Sequence, residues 1–171
     1  MLSTTLRRVL VASGFVVATS FMSSAAFAAT TGDVIIGGSV ASTLTMGITA
    51  KAGAATINLA PAQTNAVLEV ADITMGTNNS TGLSLKLDAA SSFSMANTGG
   101  GTPVAFTVAA VEGDLETGAV YKGAVGDVLI TSTAAQASTT AYSLFIKYST
   151  QATFQDPGTY SSTIKLIVSD N

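Results

Sequence analysis

Apolar and polar residues alternate along most of the chain, which is the pattern of β-strands that bury one face. In the first long run, residues 34–49, nearly every apolar residue falls on an even position. Strands in globular proteins most often have about five or six residues, so this run is too long for one strand of a small domain. We interpret it as two parts in one register, joined at Gly37-Gly38. Residues 33–39 are offered outward, and residues 40–48 belong to the core.

Similar runs, separated by turn residues, continue to the end of the chain. They predict strands near residues 38–49, 56–59, 66–75, 83–87, 93–95, 104–108, 128–131, 142–148 and 160–168. Residues 134–140 are predicted to be a polar connection. Between Val70 and Ile73 the apolar parity changes, which predicts a β-bulge.

These strands predict an all-β fold, an immunoglobulin-like β-sandwich of about 7–9 strands preceded by an N-terminal extended strand. A closed barrel is the alternative architecture. The residues predicted to point into the core share the apolar parity of their strands: Leu44, Met46, Ile48, Leu85, Phe106, Leu144, Ile146, Tyr160, Ile164, Leu166 and Val168.

The first residues have the layout of a secretory signal peptide. Arg7 and Arg8 precede an apolar run, residues 9–21, and small residues lead to Ala26-Phe27-Ala28. The run is shorter than the roughly twenty apolar residues of a membrane-spanning helix. The predicted organisation is therefore a signal peptide at 1–28, an N-terminal extension at 29–39 and a β-sandwich domain at 40–171. We expect the protein to be secreted, and no membrane span is expected once the signal is removed.

Charge and composition disfavour nucleic-acid binding, nucleophilic catalysis and transition-metal binding. After residue 28 the chain has five lysines and ten acidic residues, a formal charge of −5, so the basic face that nucleic acid requires is missing. The sequence contains no histidine and no cysteine, which disfavours nucleophilic catalysis and transition-metal sites. We expect no enzyme activity, no cofactor and no metal. Whether Glu112, Asp114 and Glu116, with Asp127 nearby, bind calcium is left open, because the EF-hand spacing is missing.

The N-terminal run has a second interpretation besides a buried internal strand. No charged residue occurs from 34 to 50, whereas natural edge strands are usually protected by charge. An extended segment of this kind can add to the sheet of a neighbouring subunit, and a head-to-tail contact that does not close gives a fibre. The predicted donor strand consists of Val34, Ile35, Ile36, Gly37, Gly38 and Val40.

The end of the chain carries a resemblance. Residues 156–168, DPGTYSSTIKLIV, resemble the P-x-G-T-Y-x-D-T-I/V-x-V-x-V ending of pilin-type domains, and are most similar to spore-coat-U-like subunits of archaic chaperone–usher fimbriae. Ser162 stands where that pattern often has Asp, and this chain lacks the cysteines those subunits typically carry. The resemblance implies an immunoglobulin-like subunit that polymerises through an N-terminal donor strand. Its implied partners are like subunits, a periplasmic chaperone and an outer-membrane usher, and its implied location is an extracellular fibre at the cell surface, reached through the periplasm.

A monomeric secreted adhesin or carbohydrate-binding module is the alternative function. Its ligand would bind at loops 99–101 or 112–126, where Tyr121 is the single aromatic residue.

Overall fold

The structure is a computed structural model that describes residues 37–171. The predicted signal peptide and most of the predicted N-terminal extension lie outside the described residues. The strands are β1 Leu44–Ala50, β2 Ala66–Thr77, β3 Leu83–Leu87, β4 Ser94–Asn97, β5 Val104–Glu112, β6 Val128–Thr131, β7 Gln136–Tyr148, β8 Tyr160–Ser161 and β9 Leu166–Asp170. One short 3-10 helix, Ala52–Ala55, follows β1. Residues 39–171 form one compact unit.

The strands form two sheets. The larger has the order β1-β2-β7-β5-β4-β8, and the smaller has the order β6-β3-β9. Every pairing between these strands is antiparallel. The prediction of an all-β, sandwich-like fold is therefore confirmed.

The core lies between the inner faces of the two sheets. Ile73 and Met75 of β2 are completely buried, and so are Leu83 and Leu85 of β3. In each strand the two buried residues are two positions apart. Burial of one such side chain stabilises the fold by roughly 1.5–3 kcal/mol. The alternation in the sequence therefore reflects strands that bury one face in the core.

Three strand predictions are wrong. The first strand begins at Leu44 rather than at residue 38, because its partner β2 ends at Thr77, which pairs with Leu44. The stretch 56–59 is not a strand and follows the 3-10 helix instead. Residues 136–140 are not a loop. They belong to β7, whose polar first half pairs with the end of β2 as far as Gln136.

One further difference and one agreement concern irregular positions. The last predicted strand is divided into β8 and β9, because the chain leaves the larger sheet after Ser161 and enters the smaller one at Leu166. The predicted bulge is present in β2, where the pairing with β7 shifts between Glu69 and Ala71. The shift buries Val70 and Ala71 in succession and so changes the parity of the strand.

The predicted core residues fall into three groups. Those in β3, β5 and β7 are buried: Leu85, Phe106, Leu144 and Ile146. Those near the end of the chain are partly buried and pack against the core: Tyr160, Ile164, Leu166 and Val168. Those in β1 are exposed: Leu44, Met46 and Ile48. The prediction of a buried β1 is wrong, because β9 is the last strand of the smaller sheet on that side and no described strand lies beyond it to cover β1.

Candidate functional site: an open groove between β1 and β9

The inner face of β1 is apolar and uncovered. Met46 pairs with Met75 and Ile48 pairs with Ile73, and directly opposite residues of an antiparallel pair share a face. Both β2 partners are fully buried between the sheets, so the β1 side chains point in the same direction. Nevertheless Leu44 and Met46 are each 38% exposed and Ile48 is 50% exposed. β1 therefore presents core-type side chains to solvent.

Among the described strands, the backbone of β1 pairs on one side only, with β2. The N–H of Asn78 donates to the C=O of Thr43, and the N–H of Lys51 donates to the C=O of Val70, so odd-numbered residues of β1 are bonded to β2. Backbone direction alternates along an antiparallel strand. The even-numbered residues, which carry the apolar side chains, thus direct their N–H and C=O groups to the open edge.

β9 forms the opposite wall of the same opening. It pairs with β3 on one side, and within residues 37–171 no strand pairs with its other side. The N–H of Asn171 donates to the C=O of Gly82, which places odd-numbered residues toward β3. By the same alternation Leu166, Val168 and Asp170 direct their backbone groups to the free edge. The side chains of Leu166 and Val168 are only half-buried.

Asp170 holds the two walls together at one end. One of its carboxylate oxygens accepts a hydrogen bond from Thr77 Oγ1 at 2.6 Å, and the other accepts one from Ser42 Oγ at 3.1 Å. Ser42 lies just before β1, whereas Asp170 is the last residue of β9. The two strands therefore run in opposite directions along the groove, and we call this the Asp170 end.

Two clefts of about 310 and 630 Å³ are lined by the chain segments next to β1 and β9, although no residue of these two strands lines them. One wall is the segment 54–61, which follows β1, and the other is the segment 153–164, which precedes β9. The floor of the smaller cleft is apolar and belongs to four strands: Val70, Met95, Phe106 and Ile146. An apolar face beside a free strand edge, as β1 and β9 provide, is the kind of surface to which a β-strand can be added.

Tyr160 lines both clefts and precedes β9 in the chain, and β9 begins at the end of the groove opposite Asp170, which we call the far end. Tyr160 Oη donates to the backbone C=O of Asp156 at 2.9 Å and accepts a hydrogen bond from Gln155 Nε2 at 2.7 Å. A tyrosine that bonds to the backbone a few residues upstream is a feature of immunoglobulin-like sandwiches. Among the described residues, buried Gln155 Oε1 has no hydrogen-bond partner, so the far end retains one unused acceptor.

Only part of the predicted donor strand lies within the described residues. Val34, Ile35 and Ile36 lie outside them. Gly37 and Gly38 are exposed and belong to no strand. Val40 is 90% exposed, which is the highest value among the large apolar side chains described.

Sequence reasoning missed two residues that fix the start of β1. Asn78 uses its side-chain amide like a further backbone unit: Oδ1 accepts from the Thr43 N–H at 2.8 Å, and Nδ2 donates to the Ala41 C=O at 2.8 Å. Asp170 adds the bond to Ser42. The sequence contained no signal for these roles, because an asparagine in a turn is normally assigned to the turn itself.

The acidic residues of the loop 112–127 make separate contacts in the structure. Within residues 37–171 no three acidic side chains converge in a way that could hold a metal ion. Glu116 accepts a hydrogen bond from Tyr121 Oη at 2.8 Å, and Asp127 accepts one from the Ala124 N–H. Glu112 and Asp114 join neither contact.

Tyr121 is engaged within the chain. Burial raises the pKa of its phenol, and the neighbouring Glu116 carboxylate raises that pKa further. Lys147 Nζ lies 3.8 Å from the centre of the Tyr121 ring, a cation–π contact. One face of the ring is thus covered, which disfavours the use of Tyr121 as a platform for a sugar.

A charged cluster marks the end of β1. Lys51 Nζ lies 2.7 Å from Asp72 Oδ1 and 3.4 Å from Glu69 Oε1. The pKa of Lys51 is raised, chiefly by the hydrogen bond to Asp72 and then by charge attraction and by Glu69, against an opposing desolvation effect. Exposed ion pairs add little to the stability of the fold. The cluster therefore marks where β1 ends and is not a candidate binding site.

Three comparisons give no relative from which a function can be transferred: no protein-family model, no curated protein and no solved structure matches the chain. No helix among residues 37–171 is long and apolar enough to cross a membrane.

Proposed function

We propose that this protein is a secreted structural subunit of a bacterial surface fibre or pilus, and that the groove between β1 and β9 binds the N-terminal segment of a second copy. The observation that carries the proposal is the coincidence of two features. The same even-numbered β1 residues have apolar side chains in solvent and unpaired backbone groups, and β9 has a free edge opposite them.

The N-terminal segment has the chemistry of the missing strand. Val34, Ile36 and Val40 share one parity and carry no charge. In an extended chain they project to one side, where each would bury apolar surface worth roughly 1.5–3 kcal/mol. The segment's backbone would satisfy the free N–H and C=O groups of β9. This β-strand addition gives affinity through the ladder and selectivity through the side chains.

Chain direction favours a head-to-tail arrangement. β1 begins at the Asp170 end of the groove, so a subunit's own extension also leaves from that end. If the extension of a second copy enters from the far end, near Tyr160, its donor strand lies antiparallel to β9, and the two domains stay in line. Each added subunit then offers a new extension and a new groove, so the contact does not close and produces a fibre.

An open apolar groove also suggests partners before assembly. An edge strand with unpaired backbone groups and exposed side chains promotes non-specific association. A periplasmic chaperone that occupies the groove until assembly at an outer-membrane usher would prevent this. These two partners rest on the resemblance of residues 156–168, and the open groove is consistent with it.

Two isoleucines of almost equal exposure provide the test. Ile48 is 50% exposed and faces the groove, whereas Ile167 is 46% exposed on the outer face of β9. In the chain beginning at Ala29, Ile48→Glu places a charge where the donor strand would be buried, and it should lower polymerisation by tenfold or more. Ile167→Glu should polymerise nearly as the unaltered chain does. Light scattering and negative-stain microscopy measure both.

The result separates the fibre from the alternative function. Equal polymerisation of the two variants would contradict the groove as the assembly site. A monodisperse unaltered chain at all concentrations would contradict the fibre and favour the monomeric binding module.

A further inference from the structure

We propose that Thr77 and Gln136 form an intramolecular ester bond, with loss of ammonia, which joins β2 covalently to β7. One strand pairing and two hydrogen bonds connect the four side chains that the reaction needs: Thr77, Gln136, Tyr142 and Asp170. This inference goes beyond the proposed function and does not rest on it, because the bond forms within one subunit.

Thr77 is the last residue of β2, and its hydroxyl is held as a nucleophile. The residue is buried, with only 3% of its surface exposed. Its Oγ1 donates to a carboxylate oxygen of Asp170 at 2.6 Å and accepts a hydrogen bond from the N–H of Asn79 at 3.0 Å. A hydroxyl oxygen has two lone pairs, so one lone pair remains free to attack a carbonyl carbon. The Asp170 carboxylate is the adjacent base that such a nucleophile requires.

Gln136 begins β7 and brings an amide carbonyl beside this hydroxyl. It pairs directly with Thr77, and opposite residues of an antiparallel pair share a face, with Cβ atoms about 4.5–5.5 Å apart. Among the described residues, the buried Oε1 of Gln136 has no hydrogen-bond partner, although buried polar atoms are normally paired. An ester oxygen is a weaker acceptor than an amide oxygen, so ester formation lowers the cost of this unpaired group.

Tyr142 lies beside the nitrogen that leaves. Gln136 Nε2 donates to Tyr142 Oη at 2.5 Å, and Tyr142 is only 4% exposed. The phenol accepts this bond through its oxygen and keeps its own proton. It is therefore placed to act as the general acid when the C–N bond breaks.

The reaction balances without an added reagent. Oγ1 of Thr77 attacks Cδ of Gln136 while Asp170 takes the hydroxyl proton, which gives a tetrahedral intermediate. The C–N bond then breaks, Tyr142 gives its proton to the nitrogen, and ammonia leaves. Asp170 is partly exposed and passes its proton to water, and the Tyr142 phenolate takes a proton from water. The products are one ester and one ammonia.

Burial makes the ester durable, but the reaction is slow. Thr77 and Tyr142 are almost inaccessible to solvent, so the water that could hydrolyse the ester is excluded. No described residue donates to Gln136 Oε1, where negative charge develops, and one such donor is commonly worth a factor of about 100–1000 in rate. We therefore expect the ester to form over hours rather than seconds.

Intact mass spectrometry of the chain beginning at Ala29 tests the ester. After incubation, the unaltered chain should weigh about 17 Da less than its sequence, because one ammonia is lost when the nucleophile displaces the amide nitrogen. Trypsin, which cuts after lysine, should release peptides 52–86 and 123–147 joined to each other, and hydroxylamine should separate them. Thr77→Ser keeps a hydroxyl and should retain the mass loss, whereas Thr77→Val should keep the full mass.

Two further variants complete the test. Thr45→Val is the matched control, because Thr45 Oγ1 donates to the C=O of Gly76 and its loss should leave the reaction unchanged. Asp170→Asn keeps the shape of the side chain without the base, so it should slow ester formation by roughly tenfold or more, and it serves if Thr77→Val does not fold. A full sequence mass in the unaltered chain after days of incubation, or an equal mass loss in Thr77→Val, would overturn the ester bond.

Discussion

Single positions set the local geometry around the groove, and Gly82 is the clearest case. Its φ is +83°, and a Cβ added there would lie 2.2 Å from the backbone oxygen of Ser132. Both the conformation and the space exclude a side chain. The C=O of Gly82 also accepts a hydrogen bond from the N–H of Asn171, so Gly82 fixes the position of the residue that follows β9.

Gly82→Ala should lower the free energy of unfolding by about 2 kcal/mol or more, because strain and a backbone clash add. Gly100 provides the control. Its φ is +77°, but no atom lies within 4 Å of an added Cβ, so Gly100→Ala should cost only about 1 kcal/mol. Urea unfolding followed by circular dichroism measures both values. Equal losses would show that the clash with Ser132 is relieved by a small movement of the loop.

Among the strands, β9 has one hydrogen-bonding edge paired with β3 and one edge that faces the groove. The N–H of Ile167 points to β3, where Ile167 pairs with Lys86, whereas the N–H of Val168 points to the open edge. Proline is tolerated in a sheet only where its missing N–H would face solvent. Adjacent positions of one strand can therefore separate folding from assembly.

Ile167→Pro should destabilise the monomer strongly, by about 3 kcal/mol, because it removes a ladder bond and distorts the pair with β3. Val168→Pro should leave a folded monomer but reduce polymerisation, since the donor strand loses an N–H partner. Thermal unfolding reports the first effect, and light scattering reports the second. A Val168→Pro chain that polymerises at the normal rate would show that the donor does not pair with this edge.

For the whole subunit, the proposed function makes the groove and the extension a heterologous pair. Each subunit would offer one of each, so association would extend indefinitely. The proposed contact would need no disulfide, and the sequence contains no cysteine. Its strength would instead come from ladder hydrogen bonds and buried apolar side chains.

Mixing two inactive variants tests this asymmetry. Ile36→Asp spoils the donor strand but leaves the groove intact, and Ile48→Glu spoils the groove but leaves the donor intact. Each alone should stay monomeric, and an equimolar mixture should form a heterodimer and nothing larger, as measured by analytical ultracentrifugation. Fibres in the mixture, or no association at all, would contradict a single heterologous contact.

Local alternation made much of this fold predictable from sequence. In β3 the pattern Leu-Ser-Leu-Lys-Leu predicted a strand with its three leucines on a buried face, and the structure has that strand at residues 83–87, with Ser84 of the other face buried as well. A parity change announced the bulge near Val70. Such features need only neighbouring residues, because side-chain direction reverses at each step of a strand.

The same pattern failed to distinguish β1 from β3. Met46 and Leu85 occupy equivalent alternating positions, yet the first is exposed and the second is fully buried. Alternation says which side chains share a face, but not whether another strand lies opposite that face. The roles of Asn78 and Asp170 escaped prediction for a related reason, since their partners lie 35 and 128 residues away in sequence.

The sequence was therefore sufficient for the fold class, for the faces of most strands and for an uncharged segment suited to pairing. The open groove was settled by long-range pairing. Among the strands of residues 37–171, β9 pairs with β3 alone, and none of them covers the inner side of β1. Register and sheet membership depend on contacts between residues far apart in the chain, so the pattern of a single strand does not contain them.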